Sequence, residues 1–381
     1  MTRQIRILYA LEAADAGALK HLVYLVTHLD PKDFAITVML SSRRSDRVWP
    51  QRKKMIDAGA TVEILDMERN ISPWRDCMSL LKILKYLRRH PFDIVHSHSS
   101  KAGGLFRLAA WFSKVNMILY TPHCFYFQSK KGIKRRLFVF LEQCLGRITD
   151  YIIVSDNEWK CLIEEGIIAG NKVLNINNAI KFEDYSIGNK PSGIRERFKI
   201  KDGDLVVAAV GRLSKQKNWS MYIKAASIIL REFDQVVFLI VGDGEQQAEL
   251  YTRIRKHKLE GKMILTGYYT DISEIYSIAD IVVNTSLWEG LPYVLLEAMW
   301  YKKPVIATDL NYAGFLLDEK NACLVKAADV NMLADKLRRL LSDAEKRIEI
   351  GNEGSLTVQS VFSFRLFIEK HEALYRKHFK P

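Results

Sequence analysis

The 381-residue sequence predicts an α/β protein made of two doubly wound parallel-sheet domains that face each other across a cleft. Three observations carry this expectation. Short apolar strand runs alternate with amphipathic helical stretches along nearly the whole chain. A single sheet with its covering helices rarely uses so many residues. The periodicity breaks over residues 182–196, where FEDYSIGNKPSGIRE concentrates Gly, Pro, Asn and Ser before a fresh strand begins. The expected domains are therefore 1–185 and 196–361, with 362–381 a helix packing back towards the first domain.

The strands of the first half are expected at Ile5–Tyr9, Ala35–Leu40, Thr61–Leu65, Ile94–His96, Met117–Tyr120 and Tyr151–Val154. Helices are expected between them, at Leu19–Leu29, Met78–Arg89 and Lys134–Gly146. The second half repeats the pattern at Leu205–Val210, Val236–Val241, Lys262–Leu265, Ile281–Asn284, Val305–Ala307 and Cys323–Val325. Near-continuous Val/Ile/Leu runs are what parallel strands covered on both faces need. The last helix is expected at Phe364–Phe379.

Composition narrows the class. At 48% hydrophobic and 27% charged residues the chain is globular, and no run of about 18 uncharged apolar residues reads as a membrane span. The start, MTRQIRILYALE, enters a strand directly and does not look like a secretory signal. Five scattered cysteines without a C-x-x-C argue against both a disulfide scaffold and a zinc site and fit a reducing cytosol. The net charge of +13 is uneven, about +10 lying in residues 1–190. A basic half fits a nucleic acid, an anionic membrane or a phosphorylated substrate, and equally a basic surface without a partner. No nucleic-acid-binding module is recognisable, so no nucleic-acid partner is expected.

Ligands of doubly wound sheets bind beyond the carboxyl ends of the strands. After Ile281–Asn284 comes TSLWEGLPYVLLEAMW, with Glu289 before Gly290 and Pro292, and Glu297 eight residues on in the following helix. Pro292 suits a first helical turn, Gly290 lets backbone pass close to a ligand, and the free N–H groups of that turn face an anion. Carboxylates accept strong hydrogen bonds from sugar or ribose hydroxyls. Ordinary helix-cap acidity plus a surface Glu is the weaker account of this arrangement. After Leu205–Val210, the loop GRLSKQKN places Arg212 and Lys217 where two cations could grip a diphosphate. Taken alone, such a loop is more often a solvated basic turn. Gly242 and Gly244 add a tight turn at the same sheet edge.

In the first half, Gly17 reads as a turn before the first helix that lets a phosphate approach. His96 and His98, two apart in a strand, share one face. With no Asp or Cys companion to supply a third ligand, no metal is expected. His123, just past Met117–Tyr120, is placed to hydrogen-bond a reacting sugar or phosphate, or to serve as a structural histidine. Asp202-Gly203-Asp204 precedes its strand and reads as a solvent-facing turn. Finally, Ile133, Leu137, Leu141 and Cys144 share a helical face behind Lys130, Lys131, Lys134, Arg135 and Arg136, next to Phe125, Tyr126 and Phe127. That mixture suits contact with anionic lipid headgroups, or an amphipathic helix packed on its own sheet with a basic outer face.

Arg212 with Lys217, and Glu289-x7-Glu297 inside WEGLPYVLLEAM, resemble the donor site of glycosyltransferase family 4, the retaining enzymes of GT-B fold. HSHSSKAGGLFRLAA and YTPHCFYF are similar to the subset that builds bacterial envelope polysaccharides. The resemblance implies two Rossmann-like domains, the first for the acceptor and the second for a nucleotide-sugar donor, a UDP-sugar by family frequency. Arg212 and Lys217 would bind the diphosphate, Glu289 the sugar hydroxyls and Glu297 the ribose. Backbone at Gly290 and Leu291 would meet sugar or phosphate, Gly17 the phosphate from the other lobe, and His123 the donor sugar and acceptor. His98, Ser99 and Lys101 would lie on the acceptor or membrane side, with Lys130, Lys131, Lys134, Arg135 and Arg136. No cofactor or metal is implied. The acceptor would be a lipid-linked or growing glycan, and the location cytoplasmic, peripheral at the inner membrane face. Departures from the family pattern fall at Ala16, Cys124, Asn218 and Ala179, each where glycine is usual, and in DLNYAGFLLDEKNACLV, which lacks a glycine pair and following acid. The rival readings are a GT-B sugar-nucleotide epimerase and a non-catalytic nucleotide-sugar-binding protein.

Overall fold

A computed structural model describes residues 3–43, 46–68, 70–185, 193–310, 312, 314–377 and 379, and the side chains of all of these except 16 and 157. The chain divides into two units: an N-terminal domain of Met1–Asn178 with Arg365–Pro381, and a C-terminal domain of Ala179–Phe364. Of the expected linker 182–196, residues 186–192 lie outside the described residues.

The N-terminal domain carries a parallel sheet of β1 (Ile5–Leu11), β2 (Phe34–Leu40), β3 (Thr61–Ile64), β4 (Ile94–His98), β5 (Met117–Thr121), β6 (Tyr151–Val154) and β7 (Val173–Asn175), in the spatial order β3-β2-β1-β4-β5-β6-β7. Its helices are α1 (Ala16–His28), α2 (Val48–Asp57), α3 (Pro73–Arg89), α4 (Ser100–Phe112), α5 (Gly132–Arg147) and α6 (Asp156–Glu164). The C-terminal domain repeats the plan. Strands β8 (Leu205–Val210), β9 (Val236–Val241), β10 (Met263–Gly267), β11 (Ile281–Asn284), β12 (Val305–Thr308) and β13 (Cys323–Val325) take the order β10-β9-β8-β11-β12-β13. Around them lie α7 (Ile194–Arg197), α8 (Trp219–Ile229), α9 (Gln247–Lys256), α10 (Ser273–Ile278), α11 (Tyr293–Trp300), α12 (Val330–Ser342) and α13 (Ala344–Val361). The chain then enters α14 (Phe364–Arg376).

Alternation along the strands builds the cores. In β8 and β9, Val207, Ala209, Phe238 and Ile240 face one apolar layer with α8 and α12. Val206, Ala208, Val237, Leu239 and Val241 face the other, with α10 and α11. Each fully buried Val or Leu contributes roughly 1.5–3 kcal/mol, so sheets covered on both faces need the continuous apolar runs seen in the sequence. Strand β7, absent from the expected set, is three residues long and too short to show a period.

The strand order matters most for function. In each sheet it reverses beside the first strand, between β1 and β4 and between β8 and β11. Such a switch point opens a crevice at the strands' carboxyl ends, because the connections leave towards opposite faces. Helix α14 belongs to the N-terminal domain from Arg365 onward. There Tyr375 bonds Tyr9 at 2.8 Å, and Arg376 pairs with Asp33 at 2.6 Å.

Candidate functional site

At the C-terminal domain's switch point the loops after β8 and β11 are knitted together. Lys217 Nζ lies 2.5 Å from Glu289 Oε1, with both side chains largely buried. Gln216 Nε2 donates to Glu289 Oε2 at 3.2 Å and to the Trp288 carbonyl at 2.8 Å, and Ser286 Oγ donates to Glu289 Oε1 at 2.7 Å. Thr285 Oγ1 donates to the Lys217 carbonyl at 2.7 Å, so the two loops hold one geometry. Asn218, at φ 49°, supplies the left-handed turn into α8. Asparagine is the residue after glycine that tolerates this conformation best, so its departure from the family pattern costs little.

Arg212 sits one step away, its guanidinium 3.3 Å from Glu245. Two glycines make the approach possible. A Cβ on Gly242 would stand 2.1 Å from the Gly211 carbonyl oxygen, and one on Gly211 would stand 2.7 Å from Lys217 Cε. The weak G-x-G signal at 242–244 thus marks a backbone-to-backbone crossing. Pro292 is the N-cap of α11, one residue earlier than expected, with Gly290 and Leu291 buried just before it. Glu297, inside α11, is 5% exposed and accepts hydrogen bonds from Tyr185 at 2.8 Å and Tyr276 at 3.1 Å. Burial beside that carboxylate holds the Tyr276 phenol well above its usual range. Asp202 and Gly203 are exposed and Asp204 is half-buried in a turn before β8.

At the N-terminal domain's switch point the residues are mostly histidines. His98 ends β4 and faces His123, with Nδ1 and Nε2 3.0 Å apart. His96 lies on the same strand face, its ring 4.2 Å from that of His98. Its role is structural: Tyr375 holds Nδ1 at 2.9 Å and Thr121 holds Nε2 at 2.8 Å. Two further histidines, invisible to motif reading, join them. His21 from α1 bonds Asn178 Oδ1 at 2.8 Å, and His371 from α14 packs its ring 5.8 Å from that of His21. Burial in low dielectric disfavours the cation. It lowers His21 to about 4 and His371 to about 3, and holds His96, His98 and His123 well below the usual range.

The backbone here is strained. Ser99, His123 and Cys124 have φ of 66°, 57° and 139°. Each such non-glycine conformation costs on the order of 1–3 kcal/mol, a cost typical of functional loops. Cys124 therefore occupies a conformation that glycine would adopt freely. Gly17 lies in the first turn of α1, which begins at Ala16, rather than in a turn before the helix. Lys101 is committed elsewhere: both Asp76 carboxylate oxygens lie within 2.6 Å of its Nζ, pinning α4 to α3.

The expected aromatic–basic patch is split. Phe125 and Phe127 are 1% exposed and stack on each other in the core beneath β5 and β6, so they leave the surface patch. Arg135 pairs with Glu165, and Lys130 sits over the Tyr126 ring at 4.2 Å. The apolar face of α5, however, points outward: Ile133, Leu137 and Leu141 are 84%, 53% and 42% exposed, and Phe140 beside them is 58% exposed. Lys131, Lys134 and Arg136 are exposed on the same helix end. Among the described residues no helix is long and apolar enough to cross a membrane.

Comparison with known proteins gives one consistent picture. A family model described as Glycosyltransferase Family 4 matches residues 16–183, and one described as Glycosyl transferases group 1 matches residues 192–356. The chain is 33% identical over 282 residues to the Escherichia coli UDP-Gal:alpha-D-GlcNAc-diphosphoundecaprenol alpha-1,3-galactosyltransferase, covering 72% of this chain and 73% of that one. It is 26% identical over 329 residues to the Staphylococcus aureus capsular polysaccharide biosynthesis glycosyltransferase CapM, covering 83% and 85%. Among solved structures, Anabaena HepE in complex with UDP and glucose aligns with a TM-score of 0.83 at 19% identity, covering 98% of this chain and 100% of that one. Sucrose-phosphate synthase from Thermosynechococcus elongatus aligns at 0.80 and 19% identity, covering 99% of each. At these identities the structural likeness speaks to the fold.

Proposed function

The chain belongs to the family 4 glycosyltransferases, built on the two Rossmann-like domains of the GT-B fold, and from that premise we propose that it moves a sugar from a UDP-sugar to a lipid-linked glycan in bacterial envelope polysaccharide synthesis, with retained anomeric configuration. One observation carries the reading: the Lys217–Glu289 pair at the β8/β11 switch point, beside Arg212 and the N-terminal turn of α11. The names of the relatives support the donor and acceptor classes. The galactosyltransferase acts on a diphosphoundecaprenol-linked sugar, and HepE was crystallised with UDP and glucose.

In this reading the diphosphate competes for cations that are already paired. Lys217 exchanges the Glu289 carboxylate for a phosphate oxygen, and Arg212 exchanges Glu245. Charge-assisted contacts replace charge-assisted contacts, so little is lost on binding. The exchange releases one Glu289 oxygen to accept from the sugar's hydroxyls while Gln216 and Ser286 hold the carboxylate in place. Glu297 accepts from the ribose, oriented by Tyr185 and Tyr276. As the glycosidic bond to the diphosphate breaks, negative charge grows on the leaving oxygen. Lys217, Arg212 and the N–H groups before α11 stabilise it, and no metal is needed for that task. His123 meets the donor sugar and acceptor as a neutral imidazole through Nδ1, because its Nε2 faces His98 Nδ1 at 3.0 Å.

The outward face of α5 supports a peripheral position on an anionic membrane surface, where lipid-linked acceptors lie. A donor panel tests the reaction. Purified protein with UDP-sugars and a polyprenyl-diphosphate-linked sugar is expected to release UDP and lengthen the lipid-linked product with an α linkage from an α donor. Release of an epimerised sugar without acceptor would establish the epimerase instead. Tight donor binding without turnover would establish a binding protein.

A further inference from the structure

Five of the nine histidines crowd the N-terminal domain's switch point, and three of them aim at one spot. Each of His21, His98 and His123 offers a ring nitrogen, and these three nitrogens lie within 4.8 Å of one another. His98 Nδ1 and His123 Nε2 are already 3.0 Å apart. Tetrahedral coordination at 2.0–2.1 Å per nitrogen places ligand atoms about 3.3 Å apart, so the three nitrogens close on a metal by drawing in from separations of at most 4.8 Å.

The surroundings fit the same purpose. Asn178 Oδ1 accepts from His21 Nδ1 at 2.8 Å, which puts the proton on Nδ1 and the lone pair on Nε2. That Nε2 is buried and has no hydrogen-bond partner among the described residues. An outer hydrogen bond that fixes tautomer and ring orientation is the usual support of a metal-binding imidazole. Burial keeps all three rings neutral, as ligands must be. The sequence offers no sign of this, because a spacing rule cannot join His21 to His98 and His123.

We propose that His21, His98 and His123 form a three-imidazole site for a borderline divalent cation of the zinc class, and that occupancy of this site and sugar transfer exclude each other. The donor set selects the class. Neutral nitrogen ligands suit zinc, nickel or copper, whereas magnesium and calcium require oxygens. On binding, the proton between His98 and His123 passes to the far nitrogen of the ring that carries it. Both facing lone pairs then point at the metal, and each ring stays neutral. The exclusion rests on the glycosyltransfer reading: a cation held by His98 and His123 fixes the His123 ring and puts positive charge where that reading brings the sugar.

The experiment uses the full chain freed of metal by chelator and dialysis. Equilibrium dialysis against zinc is expected to give one ion per chain, and cobalt(II) in its place to give the visible absorption of tetrahedral nitrogen coordination. His21→Gln is expected to weaken zinc binding at least tenfold, and Asn178→Ala on the order of tenfold through loss of ring orientation. His257→Gln, in the other domain, is expected to bind as the unaltered chain does. Zinc is expected to inhibit UDP release along its binding curve, and chelator to restore it. Absence of the cobalt spectrum on the unaltered chain overturns the site whatever the variants do. So does His21→Gln binding as tightly as the unaltered chain. Stoichiometric zinc with undiminished turnover overturns the exclusion. A chain that binds zinc but never releases UDP refutes the transfer reading and leaves the metal site standing.

Discussion

Acidification from pH 7 to pH 5 is expected to destabilise the N-terminal domain through its buried histidines, well before carboxylates titrate. His21 and His371 are fully buried, with folded values lowered from 6.5 to about 4 and about 3, chiefly by desolvation. A lowered folded value means that the unfolded chain binds the proton first. Their stabilisation is complete above pH 6.5 and is lost as pH falls towards the folded values. Each pH unit in that window costs about 1.4 kcal/mol per histidine. At pH 5 each has cost roughly 2 kcal/mol, and the two together roughly 4, a large share of a typical 5–15 kcal/mol. His96, His98 and His123 act in the same direction. Guanidinium unfolding at pH 7, 6 and 5 measures the slope. His371→Phe keeps an aromatic ring against Phe367 and Tyr375 and removes one proton site. Its slope between pH 6 and 5 is expected to be about 1.4 kcal/mol per unit shallower. Equal slopes in variant and unaltered chain would show that His371 is charged in the fold and would refute the reasoning.

Other consequences are as direct. Glu289→Gln and Lys217→Met are each expected to lower UDP release on the order of 10²–10³-fold, because each removes preorganised charge at the leaving diphosphate or the sugar; steady-state rates across the donor panel check this. Arg107→Leu strands the Glu142 carboxylate, 2.7 Å from Nη2 in the buried pair, and is expected to cost about 3–5 kcal/mol, most of it recovered when Glu142→Leu is added, as read by denaturant unfolding. Gly242→Ala puts a Cβ 2.1 Å from the Gly211 carbonyl oxygen, forces the β8 loop away and is expected to weaken donor binding several-fold in a thermal-shift titration, while Gly203→Ala, with open space around it, is not. Ile133→Ser with Leu137→Ser is expected to reduce sedimentation with anionic vesicles by at least tenfold without changing the melting temperature, since both side chains are exposed in the free protein.

What the residue order determined by itself is local. Strand runs such as Leu205–Val210 and Val236–Val241, and the amphipathic stretches between them, follow from periods of two and 3.6, which short windows record. The Lys217–Glu289 contact follows for a related reason: both residues lie within a few positions of a strand end, where switch-point loops meet. Long-range packing decided the rest. His21 meets His98 and His123 because the order β2-β1-β4-β5 brings α1 and two strand ends together, a fact no spacing encodes. Tyr375 reaches Tyr9 across 366 positions. An amphipathic pattern also says that a helix has an apolar face, not which way it turns. On α5 that face lies open while neighbouring Phe125 and Phe127 fill the core, because burial is settled by which other elements arrive, and those come from distant parts of the chain.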